Sequence, residues 1–590
     1  MNKNENNISR RDFLITSIAA AMALSGGAVA QEIPKSATSK KIKKESNQPY
    51  NILFILTDQE RYIEASELPR GFKLSGHDRL KESGITFTNH HINSAVCTSS
   101  RSVIYTGQHI QHTKLYDNMD VPWMANLSKD MPTIGDMMQK AGYYPAYKGK
   151  WHLSKELGTH DEAAIPQVEL TKVIEGYGFH DYIGIGDVIG MTQGGYINDE
   201  MIAAQAKRWL RLKAAPLQAK KEPWFLAVNF VNPHDVMFYN TDTSKEHVQD
   251  RPSPLMDIER EPASSLYARQ WKFTLPQSRN ESFEKKGRPQ AHSEYQKARG
   301  ALVGNFPNED ERWQRLLNYY FNCISNVDRA IDTVLDELDA QGMRENTIVV
   351  LTSDHGELGG SHATHGKGAT AYKEQNHVPL IISHPDFVET HGERCNALTS
   401  HIDLAPTILS WTKNSAKVNK ADLKGHDFTH LLALGNKATV NDIRKASLYC
   451  YNMFLYLDSD YTLKTQAYLN EGGDPKKLAQ MGIKPDLKKR GAIRSIFDGR
   501  YKYTRYYSPL QHNEPKTIQE ILKYNDIELF DLKNDFEEIH NLAIDIKKNE
   551  TLILAMNDKM NEIIKEEVGV DDGSFLPGES NQWSTLTFDP

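Results

Sequence analysis

Residues 95 to 109 read AVCTSSRSVIYTGQH and place Arg101 four positions after the lone Cys97. A guanidinium beside a thiol favours its anion and can also hold an anionic substrate. Cys97 and Arg101 are therefore a candidate nucleophile and its support. The same letters also describe a small buried cysteine near a surface arginine. In YKGKWHL, Lys150 and His152 stand two residues apart. In an extended segment that spacing points both side chains to one face. A lysine that binds oxygen and a histidine that moves a proton suit an anionic ester, while a solvated basic turn is the competing reading. His234 follows Pro233 at the end of an apolar run and is a candidate general acid. Lys367, in THGKG, is flanked by glycines and can reach a phosphate or sulfate. His362 and His365 beside it read equally well as loop histidines.

Two further pairs close apolar runs: Asp58-Gln59 and Asp354-His355. Together they offer two carboxylates, an amide oxygen and an imidazole. Oxygen donors suit hard cations such as calcium or magnesium, and an imidazole tilts the set toward manganese or zinc. Each pair alone is an ordinary turn or helix cap.

These residues must be positioned by strands. NILFILT (51–57), PWFLAVNF (223–230) and TIVVLTS (347–353) are nearly unbroken apolar runs, each followed by polar residues. Such runs are typical of buried parallel strands, and ligands bind beyond their carboxyl ends. Between them, Val327, Ile331, Val334, Leu335 and Leu338 recur at helical spacing. A further helix opens near Asp403. Residues 238–305 read as an irregular insertion. After about residue 415, an Asp498-Gly499 turn between aromatic flanks signals a hairpin. The expected fold is α/β, with a large mixed, mostly parallel sheet sandwiched by helices. A smaller C-terminal α+β part with an antiparallel sheet follows, with a helix over about 545–566 and an irregular tail.

The chain has 590 residues, 39% hydrophobic and 25% charged, with a net charge of −7. That balance gives no reason to expect nucleic acid as a partner. Arg10-Arg11 precede an apolar run ending in Ala28-Val29-Ala30, which reads as a twin-arginine export signal cut after Ala30. Residues 31–49 are polar and Lys-rich, a spacer without a fold of its own. The expected divisions are 1–30 signal, 31–49 spacer, 50–415 catalytic domain and 416–590 C-terminal part. The chain is expected to be periplasmic. Cys97, Cys323, Cys395 and Cys450 are scattered, so no disulfide scaffold is expected, and one bridge among the last three is left open.

Nine segments in this order resemble the type I sulfatase family of the alkaline-phosphatase superfamily. They are NILFILTDQ, VCTSSRSVIYTG, YKGKWHL, FVNPHD, IVVLTSDHGELGG, HGKGATAYKEQNHVPLI, HIDLAPTIL, DGRYKYTRY and ELFDLKNDFEEIHNLA, covering roughly residues 50–545. The resemblance implies an alkaline-phosphatase-like fold and hydrolysis of a sulfate monoester. It implies that Cys97 is oxidised to formylglycine (3-oxoalanine) by a dedicated maturation enzyme, with Arg101 stabilising it. One hydroxyl of the hydrated aldehyde attacks sulfur and the other later ejects sulfate. Asp58, Gln59, Asp354 and His355, with residue 97, match the ligands of one divalent metal, calcium in most members and manganese or magnesium in others. Lys150 and Lys367 match sulfate-binding lysines. His152 matches the residue that holds the diol, and His234 the one that protonates the leaving oxygen. The usual Pro or Ala of the cysteine motif is Ser99 here. Gln59 and His355 resemble the choline-sulfatase and phosphonate monoester hydrolase branches. The expected ligand is a small organic or carbohydrate sulfate ester. A phosphonate monoester hydrolase or phosphodiesterase with the same nucleophile is the alternative enzyme, and a non-catalytic sulfo-ligand binding protein the alternative class. Homo-oligomers are left open, with the tail after residue 566 able to reach a neighbour.

Overall fold

The computed structural model describes residues 48–576, except 122, 159–165, 185, 189, 475, 476 and 479. The export signal, almost all of the spacer and the last part of the tail lie outside the described residues.

In chain order the strands are β1 (Asn51–Asp58), β2 (Ile85–Phe87), β3 (His90–His91), β4 (Tyr144–Gly149), β5 (Trp224–Pro233), β6 (Thr347–Ser353), β7 (Leu380–Ser383), β8 (Arg394–Cys395), β9 (Thr399–Ser400), β10 (Ser447–Tyr451), β11 (Ala492–Phe497), β12 (Tyr501–Tyr507) and β13 (Asn525–Asp531). One seven-stranded sheet has the order β4-β5-β1-β6-β7-β2-β8. The run β4-β5-β1-β6 is parallel throughout. β7 runs antiparallel to both its neighbours, and β8 pairs parallel with β2. β3 and β9 form a separate two-stranded ribbon.

The unbroken apolar runs have a direct cause. On β1, Ile52, Phe54 and Leu56 enter one apolar layer while Leu53 and Ile55 enter the other. β6 divides in the same way, with Ile348 and Val350 opposite Val349 and Leu351. A strand covered on both faces must be apolar at every position, not every second one. The 31-residue helix Asp310–Ala340 covers one face with Val327, Ile331, Val334, Leu335 and Leu338. Helices Cys97–Thr106 and Leu404–Ser410 cover the other with Val103, Ile104, Tyr105, Leu404 and Ile408.

The C-terminal strands form an antiparallel sheet in the order β10-β11-β12-β13. The Asp498 carboxylate accepts the backbone N–H groups of Arg500 and Tyr501 and closes the β11–β12 turn. Leu448, Ile496, Tyr503 and Leu529 join the apolar layer that covers one face of β1, so both sheets share a continuous core. Helix Ile546–Ile563 adds Ile553, Met556 and Met560 to it. The tail folds back on its own chain: Phe575 packs edge-on against Tyr116. All four cysteines are free and buried, so the disulfide left open from sequence does not form.

Candidate active site

Four adjacent parallel strands deliver the site from their carboxyl ends. β1 ends in Asp58-Gln59, β6 leads into Asp354-His355, β4 into Lys150, and β5 into His234. At the end of β4, Gly149 has φ 86°, and a Cβ there would lie 1.9 Å from the Asn229 carbonyl oxygen. Only glycine lets β4 pass so close to β5 and present Lys150. The fifth contribution is the helix Cys97–Thr106, buried along its whole length, with Cys97 as its first residue. Its unpaired N-terminal N–H groups favour negative charge there.

The ten residues singled out from sequence converge. Cys97 Sγ lies 3.2 Å from His355 Nε2, 3.1 Å from Lys367 Nζ and 3.7 Å from Asp58 Oδ1. His355 Nε2 is 3.8 Å from Asp58 Oδ1 and 3.6 Å from Asp354 Oδ1. Lys150 Nζ donates to Asp58 Oδ2 at 2.7 Å. Lys367 Nζ donates to Gln59 Oε1 at 2.6 Å. None of the ten side chains is more than 4% exposed.

Arg101 differs from the expectation. Rather than supporting the thiol directly, its Nε donates to Asp354 Oδ2 and its Nη2 to Asp58 Oδ2, each at 2.9 Å. Nη1 donates to the Lys150 carbonyl at 2.9 Å. It is a clamp between the two aspartates.

The charges are strongly interdependent. Burial pushes the Asp58 carboxyl up, but Lys150, His234, Lys367 and Arg101 outweigh it and hold it well below the usual range. Burial and Asp58 together raise Asp354 to about 6, against His355 and Arg101. Burial and Asp58 oppose a thiolate at Cys97, yet Lys150, Lys367 and His355 hold the thiol well below its usual value. Burial, Lys367 and Lys150 push His234 down to about 3. Burial disfavours a charged His152, but Asp120 and Cys97 overcome it and raise it to about 9.

Several positioning groups carry no sequence signal. Asp187 accepts the backbone N–H groups of Trp151 and His152 and fixes His152 at φ 61°. Glu357 accepts from Gln59 Nε2 and from the Gly366 N–H, joining β1 to the Lys367 loop. Thr98 donates to the His152 carbonyl and accepts from Met119 N–H, joining the helix that Cys97 opens to the loop that bears Met119 and Asp120. Ser100 donates to the Asp354 carbonyl and contacts His401 Nδ1. His365 serves structure: its Nδ1 accepts from Arg299 Nε at 3.1 Å. His362 pairs with Glu281 and stacks on Tyr372.

The family model described as Sulfatase matches residues 50–415. The chain belongs to the sulfatase family. It is a sulfuric ester hydrolase. A sulfatase of Escherichia coli (strain K12), YidJ, is 28% identical over 379 residues, 61% of this chain and 67% of that protein. The N-acetylglucosamine-6-O-sulfatase of Bacteroides thetaiotaomicron is 27% identical over 445 residues, 69% of this sulfatase and 75% of that one. The solved structure of a 2-O GAG sulfatase superimposes with a TM-score of 0.62 at 18% identity, covering 88% of this chain and 93% of the other. A phosphonate monoester hydrolase from Silicibacter pomeroyi gives 0.59 at 20% identity, covering 88% and 96%. These structural likenesses establish the alkaline-phosphatase-like fold.

Proposed function

We propose that this sulfatase is exported and cleaves an organic sulfate monoester (aryl, alkyl or carbohydrate) with a formylglycine made from Cys97. The observation that carries the reading is the ring of groups on the Cys97 side chain: His355 Nε2, Lys367 Nζ and Asp58 Oδ1, all within 3.7 Å.

The residues fit a divalent metal. Donor atoms of Asp58, Cys97, Asp354 and His355 all lie within 4.8 Å of one another and are buried. Adjacent oxygen donors at about 2.4 Å around an octahedral cation would sit about 3.4 Å apart, close to the 3.2–3.8 Å separations here. Asp58, Gln59, Asp354 and His355 would hold the ion, calcium on this oxygen-rich set, with manganese or magnesium the alternatives. The bound ion would polarise the sulfate oxygens, and the converted residue 97 would supply the attacking oxygen.

The remaining roles belong to the chain's own groups. Lys150 and Lys367 bind the sulfate oxygens. Arg101 keeps the two aspartates apart and ionised. His152, cationic beside Asp120, orients the hydroxyl on residue 97. His234 donates the proton to the leaving oxygen. It is neutral in the free protein because burial, and then Lys367 and Lys150, oppose its charge, and an arriving sulfate offsets the two lysines and raises its proton affinity. Cys97 is 1% exposed within a helix, so a maturation enzyme reading an extended segment must act before folding. Twin-arginine export of the folded protein to the periplasm fits that order.

Mass spectrometry of the peptide containing Cys97, from protein made with the maturation enzyme, tests the nucleophile. Oxygen should replace sulfur and two hydrogens; an intact thiol in active protein rejects the mechanism. Parallel kinetics on p-nitrophenyl sulfate and a p-nitrophenyl phosphonate ester test the substrate. Preference for phosphorus by orders of magnitude, with no sulfate ester turned over, overturns the sulfate reading.

A further inference from the structure

The catalytic side chains are almost wholly buried, and one charged neighbour is not. Asp120 Oδ2 lies 3.7 Å from His152 Nε2, yet the Asp120 side chain is 40% exposed. Its loop is fixed on both sides. Thr98, next to the nucleophile, holds Met119 N–H and the His152 carbonyl. Asp117 accepts from Trp123 Nε1 at 3.0 Å and from Phe454 N–H at 2.9 Å. Asp120 is therefore held between the buried centre and solvent.

A carboxylate in that place keeps His152 cationic, but it also stands beside a centre that gathers positive charge. Lys150, Lys367, Arg101 and His152 assemble positive charge for an anionic ester, and a nearby anion repels that ester unless the same ligand brings it a hydrogen-bond donor. The pairing with His152 uses one face of the carboxylate, Lys155 also stands within electrostatic reach of it, and the exposed part of the side chain can accept from a ligand. A cationic leaving group is the poorer match, because it would also meet His152 and the two lysines. A neutral hydroxyl beside the ester oxygen meets no such repulsion. It also gains a charge-assisted hydrogen bond at a partly desolvated site.

We propose that Asp120 is a specificity-determining residue that accepts a hydrogen bond from a hydroxyl neighbouring the sulfated oxygen, so that this sulfatase selects sulfated diols and sugars over simple sulfate esters. This rests on the sulfate-ester reading of the centre.

The probes are 2-hydroxyphenyl sulfate and 2-methoxyphenyl sulfate, which share an aryl leaving group and differ in the donor. The wild-type ratio of their kcat/KM values should favour the hydroxyl compound at least tenfold. Asp120→Asn and Asp120→Ala should each lower that ratio tenfold or more. Equal losses on both probes would mean that Asp120 acts only through His152, and would overturn the proposal. So would a larger loss on choline sulfate than on the hydroxyl probe. Asp120 is a surface side chain, so far-ultraviolet circular dichroism should show both variants folded. If wild-type protein with converted residue 97 turns over no sulfate ester, the reading of the centre fails, and this role with it.

Discussion

Arg101 is fully buried and all three of its terminal nitrogens already have partners: Asp354, Asp58, and the Lys150 carbonyl with Asn229. Removing the guanidinium leaves two buried carboxylates facing each other, a loss on the order of 4 kcal/mol. Arg101→Gln should therefore unfold at a clearly lower temperature in chelator, and millimolar calcium should recover part of the loss by replacing the missing charge. Thermal unfolding with and without calcium checks this; an unchanged melting temperature in chelator would remove the clamp. His234 is tested by leaving groups. An acid helps most where the departing oxygen is basic, by about a hundredfold or more. His234→Ala should barely slow p-nitrophenyl sulfate but strongly slow alkyl sulfates, steepening the dependence of log kcat/KM on leaving-group pKa. An equal loss across the series would contradict that role. The ten central residues were legible because each sits in a short run whose neighbours also carry a signal, such as the Gly149 and Trp151 that flank Lys150. Asp120, Asp187 and Glu357 were not. Each is one acid in a polar loop, and only the fold reveals what its oxygens face. Ser99 lies in the first turn of the buried helix that Cys97 opens.

Between elements, the positioning is done by acids and histidines that reach across the core. His77, on the helix Ser75–Glu82, lies 2.7 Å from Asp328 on the long helix and 3.0 Å from Glu60 just beyond β1. Burial alone would keep it neutral, but Glu60 and Asp328 raise it to about 10. A histidine raised on folding contributes stability that is complete below its unfolded value near 6.5. That contribution fades as pH climbs toward 10. The melting-temperature gap between wild type and His77→Gln should accordingly be widest at pH 6 and shrink steadily toward pH 10. A gap independent of pH would mean that His77 is neutral. Asp187 acts on a loop. Without its two backbone hydrogen bonds, His152 has no reason to keep a positive φ, which costs a non-glycine residue roughly 1 kcal/mol or more. Asp187→Ala should cut kcat about tenfold to a hundredfold while far-ultraviolet circular dichroism stays native. Three of the four strands that carry the site, β1, β5 and β6, were legible because full burial forces an unbroken apolar run, whereas β4, YPAYKG, mixes tyrosines, a proline and a lysine and gave no such run. The three short strands β2, β7 and β8 were not, since two to four residues give periodicity nothing to repeat.

Across the whole molecule, the C-terminal part braces the mouth of the centre as well as its own sheet. Asp117 receives Phe454 N–H from beyond β10, and Tyr116 beside it receives Phe575 from the tail. The tail is anchored by Asp571, whose two oxygens take Nε and Nη2 of Arg494 at 2.6 and 2.8 Å. Arg494 is 1% exposed on β11. The loop that bears Asp120 is thus backed by residues more than 300 positions later in the chain. Burial opposes ionisation of Asp571, yet Arg494 and His512 hold its carboxyl far below the usual range. A depressed carboxyl contributes stability above its unfolded value near 4, and that contribution is lost as pH falls below it. Asp571→Asn leaves Arg494 buried without its counter-charge, a loss of about 3 kcal/mol. At pH 7 the variant should melt several degrees below wild type, and the gap should narrow as pH drops under 4. It should also lower kcat/KM, because the Tyr116–Asp117 support of the mouth loosens with the tail. Calorimetry across that pH range, paired with steady-state kinetics at pH 7, separates the two effects. A variant that loses stability but keeps its full kcat/KM would confine the tail to holding its own sheet.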